Sequence, residues 1–209
     1  MDQCLEIWPI AVKTMQIQIE NILEEIDSNI GILDREKFLR MVDSYCEILY
    51  NFLIKDSLFS CPEAKIFVLK ISNLLISKYH LKNKDVKLVS RPFGLIVDPS
   101  NSCNLRCPGC VHSDPINGMV SWPAGLLKEK TFGTFLEKFG PYATHILFYN
   151  WGEPLLNKLT PQFISMARKY LLATSISTNL GAMNIDLEQL VLSGLDYMIV
   201  SIDGATSNT

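Results

Sequence analysis

No stretch of the sequence comes near the roughly 18 consecutive apolar residues that a membrane span needs. The opening segment, MDQCLEIWPIAVKTMQ, has acidic and polar residues where a secretory leader would carry a basic stretch and an unbroken apolar run. These two absences predict a cytoplasmic protein with no membrane partner. Strong charge is missing too: 19 Lys and Arg against 22 Asp and Glu leave a formal net charge of −3. That gives no global pull toward nucleic acid, so no nucleic-acid partner is expected. Cysteine is modest at six, and cytosolic thiols stay reduced. A disulfide framework is therefore not expected, and a tight cysteine cluster points to metal instead. The one such cluster, NSCNLRCPGCVH, holds Cys103, Cys107 and Cys110 but lacks the fourth cysteine that a structural zinc site would use.

What is present is a folding chain: 209 residues, 48% hydrophobic and 20% charged, enough to bury one sizeable core or two. From Met15 to Tyr79 apolar residues recur at helical spacing and predict three amphipathic helices. The first carries Met15, Ile19, Ile22, Leu23 and Ile26, and the second Phe38, Val42, Tyr45, Leu49 and Phe52. The third carries Ala64, Phe67, Val68, Ile71, Leu74 and Leu75 behind Pro62, a residue that suits a first helical turn. Their wide apolar faces ask for burial, against each other or the rest of the chain, although a docking role for a substrate peptide or partner is the alternative. The segment SKYHLKNKDVKLVSR reads as a polar linker between two parts, an α-helical accessory region over 1–85 and a core region over 86–209.

After Arg91 the pattern alternates. FGLIVDP, THILFYN, TSIST and DYMIVSI read as strands. Between them lie helices marked by Phe132, Phe135, Leu136 and Phe139, then by Thr160 as N-cap with Pro161 in the first turn, then by Asp186 as N-cap with Gly194 as the stop. Strand–helix repeats with near-continuous apolar strands predict the α/β class, with parallel βα units opening or curling toward a partial barrel. In such barrels the chemistry gathers at the carboxyl ends of the strands. Here those ends run into the three cysteines, WGEPLLN, STNLG and SIDGAT. Each would pass for an ordinary turn alone; four in register on one rim do not.

Three thiolates on one short loop suit an iron–sulfur cubane, because a four-iron cluster then keeps one iron without a protein ligand, open to a small molecule. Zinc stays open as an alternative, with His112 as a cramped fourth ligand. Pro108 and Gly109 would turn the backbone closely around the group. Cys4, Cys46 and Cys61 have no cysteine partner nearby and read as core or incidental thiols.

From Phe93 to Thr206 the sequence resembles the radical S-adenosylmethionine enzymes. The C-x3-C-x2-C spacing is similar to that family's signature, and WGEP, STN and SIDGA resemble its later motifs in the same order. CNLRCPGC, FYNWGEPLLNK and VSIDGAT resemble the subgroup whose members often carry a further cysteine-rich domain of SPASM type and modify peptides or proteins. The resemblance implies a [4Fe-4S] cluster on Cys103, Cys107 and Cys110, with S-adenosylmethionine chelating the open iron. It implies that Gly152, Glu153 and Pro154 meet the methionyl amino group, and that Ser177, Thr178 and Asn179 lie near the methionyl carboxylate or ribose. Ser201 and Asp203 would bind the ribose hydroxyls.

In that family an electron from a flavodoxin- or ferredoxin-type reductant cleaves the cofactor to a 5′-deoxyadenosyl radical, which takes a hydrogen atom from substrate. The resemblance also implies six βα units, so about four of six are expected here and the sequence reads as part of a longer protein. Two departures stand out: Gly109 replaces the aromatic residue usual before the third cysteine, and Trp151 replaces the first glycine of a GGEP segment. A non-catalytic iron–sulfur or zinc protein, including a degraded paralogue, is the competing reading.

Overall fold

A computed structural model describes residues 21, 24, 25, 28, 34–55, 60–113, 123–183 and 185–202. The chain divides into two compact units, Met1–Phe93 and Gly94–Thr209.

In the first unit, helices α1 (Arg35–Lys55) and α2 (Cys61–Asn83) pack on each other. The spacing of their apolar residues explains the pairing. Phe38 and Val42 of α1 meet Leu75 and Tyr79 of α2, with the Phe38 and Tyr79 rings stacked at 4.3 Å, while Leu49 and Leu53 close over Ala64. Ser60 caps α2 with Glu63, whose carboxylate accepts the Ser60 backbone N–H at 3.0 Å, and Pro62 sits in the first turn as expected. The first predicted helix, over Met15 to Ile26, falls almost entirely outside the described residues, as does Cys4.

The segment expected to be a solvated linker behaves differently. Its first part continues α2 to Asn83, where Lys84 turns left-handed (φ 55°). The remainder is tied back to the helix. His80, buried, contacts Asp85 through Nδ1 at 2.7 Å and accepts the Val89 N–H on Nε2 at 3.2 Å, while Asn73 accepts the Arg91 N–H and donates to the Arg91 carbonyl. The polar side chains that suggested a linker are in part the ones that fasten it.

The second unit is of the α/β class. Strands β1 (Gly94–Ile96), β2 (His145–Leu147), β3 (Ala173–Thr178) and β4 (Tyr197–Val200) form one parallel sheet in the order β1-β2-β3-β4. Sequential neighbours side by side match the wall of a barrel; a doubly wound sheet would reverse its order partway. The connections carry helices α3 (Glu129–Phe139), α4 (Thr160–Arg168) and α5 (Leu187–Leu192). Phe132 and Leu136 of α3 and Phe163, Ile164 and Ala167 of α4 bury against Ile146, Phe148, Leu172 and Ile176. Phe132 lies 4.9 Å from Phe163 and 5.7 Å from Phe148, ring to ring.

Asp186 caps α5 as expected, accepting the Gln189 N–H at 2.8 Å, and Gly194 ends it at φ 82°. Thr160 is a correction. Leu159 holds the N-cap position, and the buried Thr160 hydroxyl donates to the Pro154 carbonyl at 2.6 Å, locking α4 onto the turn before it. At the amino ends of β3 and β4, Asp196 accepts from the Thr174 N–H and hydroxyl and from Arg168, a brace on the face away from the motifs. Strand β4 is exposed along its whole length, as are Leu187, Val191 and Leu192 of α5. Among the described residues, no helix is long and apolar enough to cross a membrane.

Candidate functional site

Parallel strands put all four carboxyl ends on one rim, so the cysteine loop, the WGEP turn, the STN segment and Ser201 become neighbours although they lie far apart in sequence. The buried Glu153 carboxylate and Thr178 hydroxyl, with the half-buried Asp98 and Asn179, join the first three.

The WGEP turn is clamped from the β1 side. Asp98 accepts the backbone N–H of Trp151 at 3.0 Å and of Gly152 at 3.4 Å, and the Glu153 N–H donates to the Ser102 carbonyl at 2.8 Å. Gly152 is dictated by this approach, because a Cβ there would stand 1.7 Å from the Ser100 carbonyl oxygen. Asn157, also buried, donates to the Pro99 carbonyl at 2.8 Å and the Leu127 carbonyl at 3.0 Å, and its own oxygen accepts the Leu159 N–H.

Glu153 is the centre of the rim. Its carboxylate is 3% exposed and accepts from the Thr178 hydroxyl (2.6 Å), the Leu155 N–H (3.0 Å) and the Asn179 N–H (2.9 Å). Three donors for a buried carboxylate offset its desolvation. Thr178 is spent in the same knot, its oxygen also accepting the Leu180 N–H at 3.0 Å. Leu180 adopts the left-handed conformation (φ 55°), which costs a residue with a Cβ about 1–2 kcal/mol and is held here by its neighbours' bonds.

Asn179 extends the network to the cysteines. Its side-chain N–H group lies 3.1 Å from Asn104 Oδ1 and 3.7 Å from Cys103 Sγ, and its Oδ1 accepts the Gly181 N–H at 2.7 Å. Cys103 Sγ also accepts the Leu105 N–H at 3.5 Å. Further along the loop the Cys110 N–H donates to the Cys107 carbonyl at 3.1 Å, with Pro108 and a left-handed Gly109 (φ 80°) between them, the pattern of a type II turn. A Cβ on Gly109 would meet nothing within 4 Å. Ser113 closes the loop's end through two bonds to the Cys110 carbonyl.

His112 is tied to the WGEP turn. Its Nε2 is 2.6 Å from the Trp151 carbonyl, which can only accept, so this nitrogen carries the proton and joins the cysteine loop to that turn. The tie occupies Nε2 alone, so the fourth-ligand role weighed for zinc would fall to Nδ1. Ser177 and Ser201 bring their hydroxyls within 3.4 Å of each other on neighbouring strands, on the exposed side of the rim. Asp203 lies outside the described residues.

Cys103, Cys107 and Cys110 are half-buried cysteines on one loop, outside any disulfide, and Cys103 already receives two N–H donors. That donor set suits a thiolate-held cluster. Among the described residues, no three His, Cys, Asp or Glu side chains are gathered closely enough to hold a single metal ion. Cys46 packs within the first unit's core, where burial pushes its thiol pKa up, and Cys61 is exposed at the start of α2.

Asp98, Asn157 and Asn101, which accepts the Gly125 N–H and donates to the Pro123 carbonyl, were given no role of their own by the sequence. Asp98 ends an apolar strand just before a proline, so the rule that picked the other strand-end residues applies to it as well. Asn157 and Asn101 lie inside the quoted strand-end motifs, and membership in those motifs was their signal.

No family model matches the chain, and no curated protein matches it. Among solved structures it is similar to one titled "Crystal structure of BtrN in complex with AdoMet and 2-DOIA", at 24% identity and a TM-score of 0.46. The match covers 56% of this chain and 48% of that one, so this chain spans about half the length of BtrN.

Proposed function

We propose that this chain is a radical S-adenosylmethionine enzyme, or the cofactor-binding part of one, acting on a peptide or protein in the cytoplasm. The observation that supports the reading most is the knot around Glu153, which links the cysteine loop, the WGEP turn and the STN segment, three of the family-like motifs, into one rim. Turns of unrelated purpose would have no reason to share a buried carboxylate.

In this reading Cys103, Cys107 and Cys110 hold a [4Fe-4S] cluster. Bound with S-adenosylmethionine and reduced by a flavodoxin- or ferredoxin-type donor, the pair supplies reductive cleavage of the sulfonium and hydrogen abstraction from substrate. The protein's own residues supply position and exclusion. Gly152 lets the turn lie against the β1 loop without a side chain, so that Gly152, Glu153 and Pro154 present backbone to the methionyl amino group. Ser177 and Ser201, with Asp203 beyond, offer hydroxyls and a carboxylate to the ribose. Glu153 and Thr178, saturated within the protein, hold that frame still.

The test is anaerobic reconstitution with iron and sulfide, followed by dithionite and S-adenosylmethionine. The expected product is 5′-deoxyadenosine. A full-length version holding four irons per chain that makes none would remove the enzymatic part and leave the non-catalytic cluster protein.

A further inference from the structure

The motif resemblance assigns Asn179 to S-adenosylmethionine, yet its side chain is turned toward a sulfur. We infer that Asn179 is a positioning residue for the first cysteine, donating a hydrogen bond to the Cys103 thiolate and so setting how easily the group held there is reduced. The inference rests on the proposed role of Cys103 as a cluster ligand.

Four observations carry it. The Asn179 side-chain nitrogen is 3.7 Å from Cys103 Sγ, within reach of an N–H to sulfur bond. The same nitrogen's other contact, Asn104 Oδ1 at 3.1 Å, belongs to the residue next to Cys103, so both contacts aim the amide at one place. The amide's orientation is fixed from the far side, because Oδ1 accepts the Gly181 N–H at 2.7 Å, which leaves the nitrogen as the end facing the loop. The backbone is fixed as well: its N–H donates to Glu153, which is itself anchored to Thr178, and Glu153's own N–H holds Ser102, the residue before Cys103. Gly181 leaves the room, since a Cβ there would stand 2.8 Å from Asn104 Nδ2 and 2.9 Å from Asn179 Oδ1.

The Leu105 N–H at 3.5 Å gives the sulfur a second donor. Donors to a ligating thiolate withdraw electron density from it and raise the reduction potential of the group it holds. Asn179 therefore favours acceptance of the electron.

Asn179→Asp tests donor loss and added charge together, and Asn179→Ala separates the two. The carboxylate keeps the acceptor for Gly181 but replaces the donor with an anionic oxygen beside the sulfur. Asn179→Ala removes the donor without adding charge. The full chain and both variants are reconstituted anaerobically, and the midpoint potential is measured without S-adenosylmethionine by dye-mediated titration followed by EPR; S-adenosylmethionine affinity is measured separately by calorimetry.

The expected result is a potential shifted negative in both variants and further in Asn179→Asp, or loss of the cluster from both with far-UV circular dichroism unchanged. Potentials equal to the wild type, with S-adenosylmethionine affinity reduced, would overturn the inference and return Asn179 to the cofactor. A wild-type chain that takes up no cluster would instead overturn the underlying assignment of Cys103.

Discussion

Replacing Gly152 with alanine should damage the rim more than any other single methyl added to it. The new Cβ would lie 1.7 Å from the Ser100 carbonyl oxygen and 2.6 Å from the Ser100 carbonyl carbon, and both are backbone atoms that no rotamer change can move. Ordinary contact begins near 3.4 Å, so the turn and the β1 loop would have to part by 3.4 − 1.7 = 1.7 Å. An opening of that size breaks the 2.8 Å bond from the Glu153 N–H to the Ser102 carbonyl and strains the two bonds into Asp98. Overpacking costs about 1–3 kcal/mol, and each lost hydrogen bond about 0.5–1.5 kcal/mol. With one bond broken, they give roughly 1.5–4.5 kcal/mol, a large share of a domain's stability.

Two other glycines calibrate the result. Gly109→Ala meets no atom within 4 Å and is destabilised only by its left-handed backbone, about 1–2 kcal/mol. Gly125→Ala meets only the Asn101 side-chain amide, at 3.9 Å, and should change stability by no more than about 0.5 kcal/mol. Urea unfolding followed by circular dichroism orders the three. A Gly152→Ala chain no less stable than Gly109→Ala would refute the claimed approach of the WGEP turn to the β1 loop.

Glu153→Gln leaves an amide facing donors from Thr178, Leu155 and Asn179, and should cost about 2–4 kcal/mol in urea, where a loss under about 1 kcal/mol would contradict the knot. Burial lowers the Lys70 pKa from its ordinary 10.5 to about 8, so between those values the unfolded chain binds more protons than the folded one. Stability should therefore rise with pH across that window, with the gain lost as pH falls through about 8, and Lys70→Met should flatten the slope. Among the described cysteines, Cys61 should react fastest with a thiol reagent and Cys46 slowest, because the first is exposed and the second is half-buried with a raised pKa; peptide mapping after timed labelling reads the order.

The sheet and its helices were legible because burial imposes a period. Phe132 and Leu136, or Phe163, Ile164 and Ala167, lie one helical turn apart and all point into one core. The rim was legible for a related reason, since parallel strands send their carboxyl ends to one side whatever the register. What stayed hidden was the pairing across the rim. Asp98 reaches Trp151 and Asn157 reaches Pro99 over separations of 53 and 58 residues, and no local pattern records which loop a polar side chain will meet. Thr160 shows the same limit at short range. A threonine before a proline is a good cap on propensity alone, but the Pro154 carbonyl nearby took its hydroxyl instead. The 77–91 segment reads as polar linker for lack of periodicity, while the bonds from Asn73 and His80 that fold it back are set by α2.

Three thiols on one loop are proposed to hold a four-iron cluster with one iron left open. Iron and sulfide analysis of the anaerobically reconstituted chain, with EPR of the reduced form before and after S-adenosylmethionine, checks this most directly. The expected outcome is about four irons and four sulfides per chain, a signal that changes when S-adenosylmethionine is added, and loss of both metal and signal when Cys103, Cys107 and Cys110 are replaced by alanine. Bound zinc without sulfide, or iron retained by the triple alanine variant, would contradict it.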